Sequence, residues 1–188
     1  MDNENEITIK NVSKLRRILR YSVAIAASIS LIIIFIEGCK FYKLSPQKLY
    51  AENYSPYELP TTAGQGDSNV SKIELAYREK KYGAVINLNK TSVLLIKDVF
   101  LTGMSFLETN DYSRAITNFQ VVIADVKDDK ASSLKNAAEY YLALAYLRNN
   151  DYDQAIELMT AIHDNSSHLY KDKFSRKYID RVKRLKWR

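Results

Sequence analysis

An eleven-residue stretch of this chain recurs at a spacing of 40 with six positions identical. Phe106-Leu-Glu-Thr-Asn-Asp-Tyr-Ser-Arg-Ala-Ile116 is echoed by Tyr146-Leu-Arg-Asn-Asn-Asp-Tyr-Asp-Gln-Ala-Ile156. Leu107/147, Asn110/150, Asp111/151, Tyr112/152, Ala115/155 and Ile116/156 match, and an aromatic residue opens each copy. Self-similarity of this kind demands a structural unit that stacks on itself. Before the Asn-Asp step, apolar residues recur at helical spacing: Phe100, Met104 and Leu107, then Leu142, Ala145 and Tyr146. After it they recur again: Ala115, Phe119, Val122 and Ile123, then Ala155, Ile156, Met159 and Ile162. The pattern predicts helix, tight turn, helix in each copy. Asn and Asp suit the turn because they cap their own backbone and tolerate left-handed conformations.

These positions resemble the tetratricopeptide repeat, a helical hairpin of about 34 residues. The resemblance rests on Gly103, Phe106, Tyr112, Ala115 and Phe119 in one copy. In the other it rests on Ala143, Tyr146, Tyr152, Ala155 and Met159. It implies small residues where two helices approach and aromatics between neighbouring pairs. The sequence departs from the family in two ways. Val99 and Glu139 stand where a Trp is usual. The longer offset also implies about six extra residues, placed in 127–133.

Val70 to Thr91 reads as a degenerate first repeat. Ile73, Ala76 and Tyr77 fall in its first helix, and its second starts at Tyr82, with Ala84 one residue closer to the tyrosine than in the later copies. At the other end, 169–187 reads as one basic capping helix with Phe174, Tyr178, Val182 and Leu185 on its apolar face. The expected fold is all-α. Residues 70–188 would form a tetratricopeptide-like, right-handed solenoid of about three hairpins, closed by that cap.

Ahead of the array lies a different kind of sequence. Residues 1–20 form a short basic tail, and 21–39 hold an apolar run from Tyr21 to Ile36 that extends to Cys39 if Glu37 sits at the interface. Sixteen to nineteen residues make ~24–29 Å of helix, enough for a single bilayer crossing. Five basic residues precede the run, which favours a cytoplasmic N-terminus and a repeat domain beyond the membrane. The expected location is a bacterial inner membrane, single-pass, with the repeats periplasmic. Ile36-Glu-Gly-Cys39 leaves open a lipoprotein acylated at Cys39 that serves envelope assembly. Residues 40–69 form a linker arm with all three prolines and a run of tyrosines. A short helix is expected from Pro46 to Tyr54, with Tyr50, Tyr54 and Tyr57 docking on the first helices. The order of anchor, Tyr-Pro arm and repeats resembles small membrane-anchored tetratricopeptide-repeat proteins of the Bacteroidetes. In that architecture a larger cytoplasmic segment can serve anti-sigma signalling. Twenty residues here are too short for such a domain, and signalling stands as a third reading.

No catalytic constellation emerges. His163 and His168 lack a third ligand at a useful spacing, Cys39 lies in the anchor, and no Gly-rich phosphate loop occurs. A non-enzymatic chain with no cofactor, no metal and no small-molecule substrate is expected. The net charge of +6 is concentrated at the C-terminus, where 168–188 hold nine basic and two acidic residues. A solvated cap explains this best; contact with anionic lipid is an alternative, and nucleic acid is not expected. The resemblance implies an inner groove made by the first helix of each hairpin. Its residues would be Lys97, Phe100, Met104, Leu107 and Glu108, followed by Ala137, Tyr140, Leu144, Leu147 and Arg148. Such a groove suits a protein segment or amphipathic helix of an envelope protein, unless the arm at 44–70 already fills it.

Overall fold

Three turns of one kind organise the repeats. Lys80, Asn110 and Asn150 each adopt a left-handed backbone, with φ of 55°, 62° and 66°. In each case the next residue's N–H reaches back five positions: Lys81 to the Ala76 carbonyl, Asp111 to Phe106 and Asp151 to Tyr146, at 2.8–2.9 Å. These bonds satisfy carbonyls that the end of a helix would otherwise leave open.

The computed structural model describes residues 28–36, 44–59, 70–89, 95–125 and 132–187. The chain divides into two units, Met1–Leu44 and Ser45–Arg188. In the first, residues 28–36 form helix α1, and Ile29, Leu31, Ile32, Ile33, Ile34, Phe35 and Ile36 are all exposed. Among the described residues no helix is long and apolar enough to cross a membrane. The expected span 21–39 continues beyond α1 on both sides, outside the described residues.

In the second unit the helices are α2 (Pro46–Asn53), α3 (Lys72–Arg78), α4 (Tyr82–Leu88), α5 (Ile96–Glu108), α6 (Tyr112–Asp125), α7 (Ser132–Asn149), α8 (Tyr152–Asp164) and α9 (Arg176–Leu185). No strand occurs among the described residues. From α3 onward each helix packs on its neighbours in sequence, and α5 also touches α3 and α7. That is the nearest-neighbour stacking of a helical solenoid. Helix α2 breaks the order by packing on α7 and α9. The hairpins close tightly where the sequence is small. A Cβ added at Gly103 would lie 2.9 Å from the Phe119 ring, so α5 and α6 approach as closely as a glycine allows.

Two expectations are corrected. The first repeat is not one residue short. Its turn aligns Lys80 with Asn110 and Asn150, so Val85 takes the place of Ala115 and Ala155. Val85 is fully buried while Ala84 faces solvent. Nor do residues 169–187 form one helix. A 3₁₀ turn, Lys171–Lys173, precedes α9, and the Ser175 hydroxyl caps α9 by accepting the Tyr178 N–H at 3.3 Å. The backbone N–H of Leu169 is held by Asn136 and that of Tyr170 by His168 Nδ1, which keeps this stretch out of a helix. Phe174, between the two pieces, is fully buried. The extra residues expected at 127–133 lie mostly outside the described residues, but α7 is itself five residues longer than α5 (18 against 13).

Candidate functional site

One side of the array, made by α3, α5, α7 and α9, holds the chain's own arm. Ser45 caps α2 by accepting the Lys48 N–H at 3.2 Å, and Pro46 takes the first helical position, where its missing N–H costs nothing. The helix stops at Tyr54, whose ψ of 132° is extended. Ser55 precedes Pro56, which disfavours a helical backbone there. The arm is thus a two-turn helix followed by a stretch without regular secondary structure to Leu59.

Tyrosine hydroxyls from the array hold the arm by its main chain. Tyr178 of α9 donates to the Leu49 carbonyl at 2.7 Å. Tyr140 of α7 donates to Asn53, and Tyr141 to Ser55 at 2.9 Å. Tyr77 of α3 donates to Tyr57 at 3.2 Å. The Asn53 carbonyl closes α2 and has no partner within the helix, so Tyr140 supplies what that helix end lacks. Burial pushes the Tyr178 hydroxyl up to about 12 and raises those of Tyr77, Tyr140 and Tyr141 as well. All four therefore remain protonated, and remain donors, at neutral pH.

Side chains of the arm complete the fit. Leu49 is fully buried. The Tyr57 ring meets Phe100 edge-on at 4.7 Å, and both Tyr54 and Tyr57 lie 6.3 Å from Tyr141, also edge-on. Tyr50 stacks on Tyr54 at 4.7 Å. The Tyr54 hydroxyl donates to Glu108, and the Arg148 guanidinium sits 5.6 Å from the Tyr50 ring centre. At the rim, Arg181 pairs with Glu52 through two hydrogen bonds, which hold the Glu52 carboxyl below its ordinary value.

Four of the expected groove residues touch the arm: Phe100, Glu108, Tyr140 and Arg148. Met104, Leu107, Leu144 and Leu147 are buried among the helices, at 0–2 % exposure, as is Ala137. Lys97 is turned toward α3, where it pairs with Glu74 at 2.7 Å. The groove is filled rather than open. The arm tyrosines lay their rings against α5 and α7, and α3, the first helix of the array, holds Tyr57 by its carbonyl. Tyr77, Tyr141 and Tyr178 were not among the expected site residues. A tyrosine that donates to a main chain looks, in sequence, like one that only packs, and this chain has fourteen.

Elsewhere, His168 is buried with Nε2 3.1 Å from Glu139. Among the described residues no group of three or more His, Cys, Asp or Glu converges to hold a metal ion.

No curated protein and no solved structure matches the chain. Residues 137–166, which cover most of α7 and all of α8, match the family model of the tetratricopeptide repeat, and together with the all-helical hairpin stack this match supports the tetratricopeptide-repeat family.

Proposed function

We propose that this chain is a non-enzymatic, membrane-tethered protein-interaction module. Its groove takes a short segment of an envelope protein, helical and then extended. Repeats of this family are generally protein-binding, which supports the broad class. One observation carries the rest: four hydroxyls are aimed at main-chain carbonyls, which any sequence presents. The arm at 45–59 occupies the groove as a tethered ligand, and an incoming segment takes its place. Phe100, Glu108, Tyr140 and Arg148 would contact that segment, with Met104, Leu107, Leu144 and Leu147 beneath them and Lys97 at the edge. The tether is the apolar run at 21–39. Its basic N-terminal flank favours a cytoplasmic N-terminus and periplasmic repeats on a bacterial inner membrane.

Competition with a labelled peptide of residues 45–59 tests the groove. The full-length protein, kept in detergent, is compared with a Leu49→Asp/Tyr57→Ala variant whose arm is loosened. The variant should bind the peptide at least about tenfold more tightly, because a groove that is filled nine-tenths of the time loses that factor in apparent affinity. Adding Tyr140→Phe and Tyr141→Phe should reverse the gain. A folded variant that binds no better than the parent would refute the proposal. The tether is checked by the intact mass of membrane-extracted protein. Loss of residues 1–38 with added acyl mass, abolished by Cys39→Ala, would replace the helical anchor with a lipid on Cys39.

A further inference from the structure

Helix α9 has a face that the array does not use. Tyr178, Ile179, Val182 and Leu185 are buried on one side. Arg176, Lys177, Lys183 and Arg184 are exposed, and Lys173 adds another exposed cation from the preceding turn. Residues 169–187 contain eight basic and two acidic side chains. Arg181, Lys183 and Lys186 are engaged by Glu52, Asp180 and Asp153. Arg176 lies 3.7 Å from Asp164, but its side chain is 83 % exposed, and such a pair neutralises little. A net positive field therefore remains along this edge.

Beside it stands Trp187, two residues past the end of α9 and 82 % exposed. It is the only tryptophan in the chain. A large aromatic with a polar N–H is costly in open water and well placed at a bilayer interface, where its body meets apolar groups and its tip stays wet. Basic residues next to an exposed Trp match the chemistry of an anionic headgroup layer.

Connectivity adds a third observation. Helix α9 grips α2 through Tyr178 and Arg181. In the sequence, nine residues separate Ile36 at the end of the apolar run from Pro46 at the start of α2. Fully extended, they span at most roughly 30 Å. Tethering of this kind raises the local concentration of membrane surface available to the second unit.

We infer that the basic edge of α9, together with Trp187, docks on the anionic phospholipid headgroups of the membrane that carries the tether. This rests on the tethered reading above, and the test separates the two. The full chain is reconstituted into vesicles of phosphatidylcholine alone and into vesicles that also contain phosphatidylglycerol. Flotation reports the tether, and the emission of Trp187 reports docking. With phosphatidylglycerol the emission should shift to shorter wavelength and acrylamide quenching should fall by about half. High salt and Lys173→Glu/Lys177→Glu should each abolish both effects, with circular dichroism showing the variant still helical. Flotation with both lipids and identical Trp187 emission overturns docking and leaves the tether standing. Flotation and an emission shift only with phosphatidylglycerol supports docking and overturns the tether. An equal response to a single-stranded oligonucleotide overturns the lipid assignment in favour of polyanion binding.

Discussion

The Tyr178 hydroxyl donates to the Leu49 carbonyl at 2.7 Å and joins the last helix to the arm across 129 residues of sequence. Tyr178→Phe removes this second donor while the Leu49 carbonyl keeps its bond within α2, so the cost is that of one hydrogen bond, about 0.5–1.5 kcal/mol. The loss should be local. Hydrogen exchange should quicken in 46–57 while α5 and α6 keep their protection. Equal loss of protection everywhere would mean that arm and array unfold as one unit.

Gly103→Ala should destabilise the array. Its new methyl group would meet the buried Phe119 ring at 2.9 Å, with Asn118 Cβ at 3.1 Å. Overpacking of this kind costs about 1–3 kcal/mol. A thermal melt checks it, and an unchanged midpoint would show that the interface between α5 and α6 can open freely.

The left-handed turns make opposite predictions at two equivalent positions. Lys80 holds φ at 55° with a side chain that gains nothing from it. Lys80→Gly should raise stability by about 1 kcal/mol. Asn150 tolerates the same geometry, and its side chain accepts the Tyr152 hydroxyl at 2.7 Å. Asn150→Ala should lower stability by about 1 kcal/mol. Urea midpoints of the two variants should move in opposite directions.

Stability should fall at both ends of the pH range. An unfolded tyrosine ionises near 10, whereas burial raises folded Tyr178 to about 12. Its contribution is complete below pH 10 and disappears as pH rises toward 12. At the acid end, Arg181 lowers Glu52. Burial pushes Glu74 upward, but hydrogen bonds from Lys97 and Arg78 prevail and leave it below its ordinary value. Those contributions are present above pH 4.5 and fade below it. Tyr178→Phe should weaken the alkaline loss and leave the acid loss intact, as pH-dependent melts would show.

The repeated Asn-Asp step made two hairpins legible because the left-handed turn selects its residue type. The first hairpin builds the same turn from Lys80 and Lys81, which carry no such signature, and the neighbouring Ala84 drew the register one residue off. The helix at Pro46 was legible from its proline. Where that helix docks was not, since the arm is held by carbonyls that every residue owns. Phe174 fits the apolar period of α9, so nothing in the pattern signals that Asn136 and His168 divert the backbone just before it. Of the expected groove residues, Phe100, Glu108, Tyr140 and Arg148 meet the arm, and pattern alone does not say what covers an apolar surface.

The contact between Tyr178 and Leu49 also fixes an order of events. A chain is synthesised from its N-terminus, so the arm emerges long before the helix that completes its seat. The hairpins at 72–164 can close on local contacts as they appear. The arm's contacts with α3, α5 and α7 can close first, but the Leu49 carbonyl must wait for Tyr178 until α9 has left the ribosome. During that interval the arm is held at one end only, so the order of synthesis sets the order in which its contacts close.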